Sequence, residues 1–500
     1  MPEPRQGFRR LRRRTVSDTV GQPPTRTAVR NAKIVALPVA YAARRAGGPV
    51  QRALGKSARE VELDIQARTA QHMFEVLGEL KGCAAKFGQI LALYELALPP
   101  ALGEPYREAL SKLQDSAPAM LPATVSAAMA ASLGPDWRDR FEEFDLRASA
   151  AASVGQVHRA RWHDGRTVAV KLMYPGAREA VHSDLEQLRR LAPIGTVFAP
   201  GMDMRAAAEA FSECISAELD YTAEAANQRA FHTEYADDPD FFVPELIHQQ
   251  GDVLISEWVD GIPLTRVIES GAQEERNRVG ILVLRFVMSS FARTGLLYTD
   301  PHPGNFRVMR DGRIGVVDYG ACSAIPPEFP AVVGDIGEAA LNGTDADLES
   351  SLRRHGFVAP ERDFDIAALV ELIDPIRELF LEPVVHITMR WLRARVLHAT
   401  QPTLSNVGRQ LKSPPEYTPI GRTILSTAGV LCQLGVQGRL RDELTAPLPD
   451  LAAAVERYQL GEGPSTVVML HDRRRRTAVR GASSSATPAP TASSGPYISR

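Results

Sequence analysis

Apolar residues recur at alternating spacings of three and four between Leu77 and Leu98, and this pattern predicts one long helix, from about Arg59 to Leu98, with a single packed face. Lys86 and Gln89 lie on its polar side, next to Gly88. Glycine destabilises a helix interior by about 1 kcal/mol relative to alanine, so its presence makes sense if another group approaches closely. The alternative is that Lys86 and Gln89 simply form a solvated face.

From about Phe144 the pattern changes to short alternating runs, which predict strands. Small residues occupy the first turn of this region, where backbone that covers a phosphate group would lie: Ala151, Ala152, Ser153 and Val154. The run Thr167–Met173 then predicts a buried strand that carries one charged residue, Lys171. A buried lysine is costly to desolvate unless a phosphate or carboxylate meets it, so Lys171 is a candidate nucleotide ligand. The alternative is an edge strand with Lys171 in water.

Residues 203 to about 235 predict a helix that contains three acidic candidates, Glu218, Asp220 and Glu224. Asp220 and Glu224 are four residues apart and can share one helical face, whereas Glu218 and Asp220 cannot. One acidic set can therefore meet Lys171 while Glu218 points elsewhere. An acidic solvated face is the alternative.

Two strands are expected next, over residues 242–248 and 253–258, with a turn between them. Glu257 and Val259 lie at the end of the second strand, before an Asp-Gly pair. Such a strand end suits a hinge, where backbone groups of these two residues would pair with the edge of an adenine ring.

The stretch 297–320 predicts a short strand, a polar loop and a hairpin that turns at the Asp-Gly pair of residues 311 and 312. Asn305 and Asp318 flank this hairpin and can face one pocket. A phosphoryl-transfer site needs a carboxylate that orients the attacking hydroxyl and oxygen ligands that hold magnesium. Asp300 would be the carboxylate that orients the hydroxyl, and Asn305 and Asp318 would be the oxygen ligands of magnesium. A polar loop beside an ordinary hairpin is the alternative.

The composition reveals a charge asymmetry along a chain of 500 residues, which is long enough for two or three structural units. Residues 1–60 carry 14 Lys and Arg against 3 Asp and Glu, and residues 471–500 carry 6 against 1, so the central body is acidic. The basic ends predict solvated tails or contact with anionic lipid, at about 1 kcal/mol per basic residue. The lack of interleaved aromatic residues argues against nucleic acid as a partner.

No run of the sequence approaches the roughly 18 to 20 uninterrupted apolar residues that a membrane span requires. The four cysteines form no C-x-x-C pair, which favours neither a zinc site nor a disulfide framework. We therefore expect a soluble, cytoplasmic protein, with peripheral membrane contact through the basic ends as an open hypothesis.

In their order and spacing these motifs resemble those of the UbiB/AarF atypical-kinase family, which includes the mitochondrial coenzyme Q kinase-like proteins. The resemblance covers roughly residues 75–435. The motifs that carry it are Lys86–Gln89 (KxGQ), Ala150–His158, Val168–Lys171, Glu218–Tyr221 (ExD) with Glu224–Asn227, Asp300–Asn305, and Asp318–Gly320.

The resemblance implies an α+β, bilobal protein-kinase-like fold with an N-terminal helical extension that carries KxGQ. The expected parts are a basic segment over 1–58, the helical extension over 59–145, an N-lobe over 146–262, a C-lobe over 263–450 and a disordered tail over 451–500. In this family the KxGQ helix folds over the active site and blocks protein substrates, which places Lys86 near Glu218 and Asp220. An alanine-rich turn replaces the glycine-rich loop of protein kinases.

ATP and Mg²⁺ are the cofactors that the resemblance implies. Lys171 then pairs with Glu224, Asn305 and Asp318 hold magnesium, and Asp300 takes the position of the base. Two aromatic departures from the family, Tyr298 in place of His and Tyr319 in place of Phe, affect packing more than chemistry.

The function expected from these motifs is Mg²⁺-dependent ATP hydrolysis, or phosphoryl transfer to a small or lipid substrate, in support of isoprenoid quinone or other membrane-lipid metabolism. One alternative is a nucleotide-gated scaffold for a biosynthetic complex. Another is a small-molecule kinase similar to aminoglycoside phosphotransferases, against which KxGQ argues.

Overall fold

The structure is a computed structural model that describes residues 119–198, 209, 212, 213, 215–399, 407, 410–412 and 414–461, together with residues 52, 57, 61 and 68. The KxGQ residues Lys86, Gly88 and Gln89 therefore lie outside the described residues, as do nearly all of the predicted helix over 59–98 and of both basic ends. Within the described part, no helix has the length and apolar character needed to cross a bilayer.

The described chain forms two compact units, one made of residues up to Pro263 together with Gly304–Cys322, and one made of Leu264–Pro303 and the residues from Ser323 onward. The first unit holds most of the strands. Its elements are α1 (Pro122–Leu133), β1 (Phe141–Phe144), β2 (Ala150–Ala152), β3 (Gly155–Trp162), β4 (Thr167–Met173), α2 (Ala177–Phe198), α3 (Tyr221–Glu234), β5 (Phe241–Phe242), β6 (Leu246–Gln250), β7 (Val253–Glu257) and β8 (Gly261–Pro263).

The second unit is mainly helical. Its first elements are α4 (Leu264–Ser270), α5 (Gln273–Thr294) and β9 (Leu296–Tyr298). The hairpin strands β10 (Phe306–Met309) and β11 (Ile314–Val316) group with the first unit, although the sequence assigned them to the C-lobe. The remaining elements are β12 (Cys322–Ala324), α6 (Phe329–Asn342), α7 (Asp345–Arg354), α8 (Ile366–Leu381), β13 (Val385–His386), α9 (Met389–Ala399), α10 (Thr418–Leu434), β14 (Gln437–Gly438), α11 (Leu440–Thr445) and α12 (Pro449–Leu460).

The main sheet of the first unit has the order β1-β3-β4-β7-β6, with β2 paired to β3. Strands β3 and β4 are antiparallel, and Val157 lies opposite Lys171 while His158 lies opposite Val170. Because side chains alternate across a strand, the residues on either side of Lys171 belong to the other face. That other face carries Val170 and Leu172, which are fully buried in an apolar core with α1.

The predicted Asp-Gly hairpin at residues 311–312 is confirmed, and a second Asp-Gly pair, at residues 164–165, forms the turn between β3 and β4. Only the glycine of each pair adopts a left-handed backbone, with φ of 87° at Gly165 and 90° at Gly312. Asp311 keeps a negative φ, and its Oδ1 instead accepts the N–H of Arg313 at 3.1 Å. The turn therefore requires a positive φ at its glycine and not at its aspartate.

The prediction of one continuous helix from 203 to 235 is wrong, because the chain leaves the helical conformation at residues 218–220 and α3 begins at Tyr221. Asp220 is the N-cap of α3, and its Oδ1 accepts the N–H groups of Thr222 and Ala223, each at 3.0 Å. Asp220 and Glu224 therefore do not share a helical face. A capping aspartate before a helix is a start signal that the sequence argument did not use.

Three predicted boundaries are also corrected. The helical extension was placed over 59–145, but β1 already belongs to the main sheet through its pairing with β3. The strand predicted over 242–248 is two strands, β5 and β6, which lie in different sheets. The disordered tail predicted over 451–500 is wrong for residues 451–460, because α12 continues to Leu460 and buries Leu451, Ala454 and Val455 at helical spacing.

Substitution of Gly155 by Ala should destabilise the first unit by about 1–3 kcal/mol, as expected for overpacking. A Cβ at residue 155 would overlap the carbonyl oxygen of Leu172 on the neighbouring strand, where no flexible side chain can move aside. Urea unfolding measures the change. Gly421→Ala is the matched control, because nothing lies near the added methyl group in α10. Equal stability of the two variants would contradict the close approach at Gly155.

Candidate active site

The ammonium group of Lys171 lies between two carboxylates that come from different parts of the chain. Its Nζ is 2.7 Å from Oε1 and 2.8 Å from Oε2 of Glu224, which lies on the first turn of α3. It is also 2.9 Å from Oδ2 of Asp318, two residues after β11. Lys171 is 9% exposed and Glu224 is 2% exposed, so the pair is buried. The pairing of Lys171 with Glu224 that the resemblance implied is therefore present.

Burial disfavours the charged form of Lys171, but the carboxylates of Asp318 and Glu224 outweigh it and hold the pKa of Lys171 well above its usual range. Tyr221 adds a further contact, because the Lys171 Nζ lies 5.2 Å from the centroid of its ring, within cation–π range. Glu218 is also buried, at 4% exposure, and contributes negative potential at Lys171.

The predicted acidic residues thus divide into different roles. Glu224 contacts Lys171 directly, and Asp220 is exposed and caps the helix that presents Glu224. The backbone N–H of Glu224 donates to the carbonyl of Asp220 at 3.0 Å, which fixes Glu224 in the first turn. Since Lys86 lies outside the described residues, its expected approach to Glu218 and Asp220 stays a prediction.

The Asp-Tyr-Gly segment is held in place by contacts from both sides. Oδ1 of Asp318 accepts the N–H of Gly320 at 3.0 Å, and the carbonyl of Tyr319 accepts from the amide of Asn227 at 3.0 Å. The Tyr319 ring is fully buried against Phe231, and its hydroxyl donates to the carbonyl of Val316 at 3.0 Å. Tyrosine in place of phenylalanine thus packs normally and satisfies its hydroxyl.

Asn305 ends a short 3-10 turn before β10, and its carbonyl accepts the N–H of Val317 at 3.0 Å, which ties the two ends of the hairpin together. Among the described residues, no three His, Cys, Asp or Glu side chains converge on a common metal position. The amide oxygen of Asn305 and the carboxylate of Asp318 are nonetheless of the ligand types that Mg²⁺ takes when phosphate and water supply its other ligands. The residues present fit magnesium on these grounds.

The alanine-rich turn closes the hairpin between β2 and β3, with Ala152 paired to Gly155 and Ala151 paired to Gln156. Val154 is buried in an apolar cluster with Tyr221, and its carbonyl accepts the N–H of Tyr174 at 3.0 Å. Ser153, between Ala152 and Val154, is half-buried. The turn that the sequence predicted is therefore anchored at Val154.

Glu257 and Val259 lie where the chain leaves β7. The N–H of Glu257 donates to the carbonyl of Glu245 at 2.9 Å, and the N–H of Trp258 donates to that of Thr167 at 3.0 Å, so both donors are used within the sheet. Val259 is buried, and its side chain fills the space above Gly315. The pairing of this segment with an adenine stays a prediction.

Asp300 belongs to the second unit, in the loop after β9. Its carbonyl accepts the N–H of His302 at 2.7 Å. The strand before it is fixed by two residues that the sequence analysis missed: Ser290 Oγ accepts the N–H of Tyr298 at 3.0 Å, and Arg422 donates to the hydroxyl of Thr299 at 3.0 Å. Arg422 is 123 residues away from Thr299 and lies in no motif, so no sequence signal marked it.

Replacement of Lys171 by Met should destabilise the fold by about 3–5 kcal/mol near pH 8, because Glu224 and Asp318 would be left without their counter-charge. Burial raises the pKa of Glu224, and loss of Lys171 raises it further, so the folded variant takes up a proton as the pH falls. The difference in unfolding free energy between the variant and wild type should therefore become smaller toward about pH 5. Urea unfolding at both pH values measures it.

The control for this experiment is the double variant Lys171→Met/Glu224→Gln, which also removes one of the two negative charges that Lys171 neutralises. It should recover part of the lost stability near pH 8 and depend less on pH. If Lys171→Met loses the same unfolding free energy at both pH values, the result would contradict a buried ion pair.

Comparison with known proteins places these motifs in a family. The sequence profile described as "ABC1 atypical kinase-like domain" matches residues 112–348. The chain is 31% identical to "Atypical kinase coq-8, mitochondrial" of Caenorhabditis elegans, over 59% of this chain and 39% of that protein. It is 30% identical to "Atypical kinase COQ8, mitochondrial" of Saccharomyces cerevisiae, over 57% of this chain and 56% of that protein. The chain thus spans about half or less of the length of these relatives.

A solved structure gives a broader match. The Mycobacterium tuberculosis protein Rv3197, described as a complex with erythromycin, is 36% identical with a TM-score of 0.59, and the match covers 79% of this chain and all of that one. The mixed helical and sheet architecture and the kinase-like class expected from the sequence are confirmed. The chain belongs to the family of ABC1 atypical kinase-like proteins, the UbiB family that its motifs resemble.

Proposed function

We propose that the chain binds ATP with Mg²⁺ beside Lys171, and either hydrolyses it or transfers its terminal phosphoryl group to a small or lipid substrate. The observation that carries this proposal is the contact of one buried lysine with both the α3 glutamate, Glu224, and the Asp-Tyr-Gly aspartate, Asp318. A lysine held between a helical glutamate and a metal-binding aspartate is the arrangement that kinases use to orient phosphate groups.

Within this proposal, each site residue has a role at the nucleotide. Lys171 contacts the phosphates, with Glu224 orienting it. The residues Ala151, Ala152, Ser153 and Val154 cover the phosphates, and backbone groups of Glu257 and Val259 pair with the adenine. Asp300 orients the attacking water or hydroxyl group. These roles come from the resemblance and are compatible with the geometry of each unit.

The charge around Lys171 supports a requirement for magnesium. Glu218, Glu224 and Asp318 place three carboxylates near one ammonium group, so the surroundings repel a polyphosphate. A Mg²⁺ ion held by Asn305 and Asp318 would compensate this charge and supply electrostatic stabilisation of the phosphates. Nucleotide binding should therefore depend on magnesium.

We also propose that Lys86, Gly88 and Gln89 limit access to the site through Glu218 and Asp220, as the resemblance implies. Isoprenoid quinone or other membrane-lipid metabolism is the proposed setting, with peripheral attachment of the basic ends to anionic lipid. The excess of basic residues in 1–60 and 471–500 supports this attachment.

Purified full-length protein should hydrolyse ATP only with Mg²⁺, and Asp318→Asn should lower turnover by about 100-fold or more because it removes a metal ligand. Asp300→Asn should lower kcat by about 10²–10⁴-fold, since it removes the group that orients the nucleophile. Asp311→Asn is the matched control: it changes an exposed aspartate in the turn of the same hairpin. Undiminished turnover in Asp318→Asn would contradict catalysis at this site, and absence of turnover by wild type would overturn the enzymatic proposal.

Anionic vesicles, added to the same assay, test the proposed contact with lipid, and the same measurements test the scaffold alternative and the role of KxGQ. Turnover that rises with phosphatidylglycerol vesicles, and rises less after truncation of residues 1–58, supports contact of the basic end with lipid. Tight nucleotide binding without any turnover would support the scaffold alternative. Lys86→Ala should raise turnover if KxGQ restricts access.

A second candidate function is the binding of a macrolide. Its support is the match to the whole of Rv3197, which is described as an erythromycin complex. Titration of erythromycin into the full-length protein, followed by calorimetry, tests it. Saturable binding at a ratio of one to one supports this function, whereas no heat at millimolar erythromycin would exclude it.

A further inference from the structure

Two polar residues are fully buried on the face of β3 that points away from Lys171. Gln156 is 1% exposed and His158 is 0% exposed. Their neighbour Val157 lies opposite Lys171 and shares its face, so the alternation of the strand places Gln156 and His158 on the reverse side. Buried polar side chains destabilise a fold unless they are hydrogen-bonded, so their partners show what they hold.

These two side chains form one hydrogen-bonded chain with a single consistent proton assignment. Nδ1 of His158 lies 2.8 Å from the carbonyl oxygen of Asp145, which can only accept, so Nδ1 carries the proton. Oε1 of Gln156 accepts the backbone N–H of Met120 at 2.9 Å, which fixes the orientation of the amide. The Gln156 Nε2 group therefore donates to Nε2 of His158, at 2.8 Å.

This chain of hydrogen bonds lies directly behind the alanine-rich turn. Gln156 follows Gly155, which closes the turn, and pairs on one side with Ala151 and on the other with Leu172. Leu172 is the residue after Lys171. A displacement of Gln156 would thus move the turn relative to Lys171. Through Met120, it would also move the segment that precedes α1.

We propose that Gln156 and His158 are positioning residues for nucleotide: from the reverse face of β3 they fix the alanine-rich turn over the phosphates and couple it to the segment at Met120 that precedes α1. The inference rests on the proposed binding of nucleotide beside Lys171. Gln156 contacts no phosphate and acts only through the backbone of its strand.

Few charges face His158. Phe144 stacks on its ring at 5.2 Å, and Asp145 is the acidic residue that acts on it, while burial is the main influence and lowers the pKa of the imidazole. The neutral ring that the hydrogen bonds require is therefore also the form that the surroundings favour near neutral pH. Gln156→Glu tests this, because a carboxylate can bond to Nε2 of His158 only when the ring is protonated.

The first experiment measures the Kd of the magnesium complex of a non-hydrolysable ATP analogue for the full-length chain. Gln156→Met keeps the length of the side chain but loses both hydrogen bonds, and we expect Kd to rise about 10-fold (a change of 1.4 kcal/mol). Gln250→Met is the matched control, because it removes an exposed contact with His248 from the same sheet and should leave Kd unchanged.

A merely structural role would lower the unfolding temperature of Gln156→Met without changing the Kd of the folded protein. Unchanged Kd in Gln156→Met, with binding by wild type, would overturn this inference alone. Absence of binding by wild type would overturn the proposed function and this inference together.

The second experiment follows pH. For Gln156→Glu, the ratio of its Kd to that of wild type should fall several-fold between about pH 8 and pH 6, because His158 gains the proton that it donates to the new carboxylate. Taking the ratio cancels the effect of the titration of the nucleotide itself on both Kd values. Nitrogen NMR of histidine-labelled wild type, assigned with His158→Gln, should show the proton on Nδ1 of His158. A pH-independent ratio, or a proton on Nε2 of His158 in wild type, would overturn the hydrogen-bond arrangement on which the inference rests.

Discussion

A lysine in a buried strand is stable only where fixed carboxylates surround it, and this constraint organises the first unit. Lys171 obtains its counter-charges from α3 and from the end of the β10–β11 hairpin, so three segments that are far apart in sequence must meet at one ammonium group. Because desolvation opposes ionisation of each partner, none of the three groups is stable there alone. The N-cap of α3 and the contacts of Tyr319 then serve to hold those carboxylates.

The two faces of β3 and β4 have different roles. One face presents Lys171 to the carboxylates, and the other packs Val170 and Leu172 into an apolar core with α1. The buried Gln156 and His158 lie on the apolar side, yet every polar atom in their chain has a partner. A hydrogen-bonded chain of this kind is geometrically exacting, which is the property needed to hold a turn in one position.

The surplus of carboxylates at Lys171 also bears on the proposed chemistry. A site with more acidic than basic groups cannot attract a polyphosphate by charge alone, so the proposed binding of ATP would require a metal ion beside the phosphates. The second unit contributes in a different way. There, Ser290 and Arg422, which lie on helices, fix the strand and the threonine that precede Asp300.

The sequence by itself determined the hairpins, the buried strand of Lys171 and its order with Glu224 and Asp318, because alternation and turn chemistry are local properties that survive any packing. Its motifs also carried the kinase-like class. Only the tertiary structure decided that Glu218 is buried and which distant residues hold the strand and the threonine before Asp300. These features depend on contacts between segments far apart in the chain, and neither periodicity nor spacing encodes them.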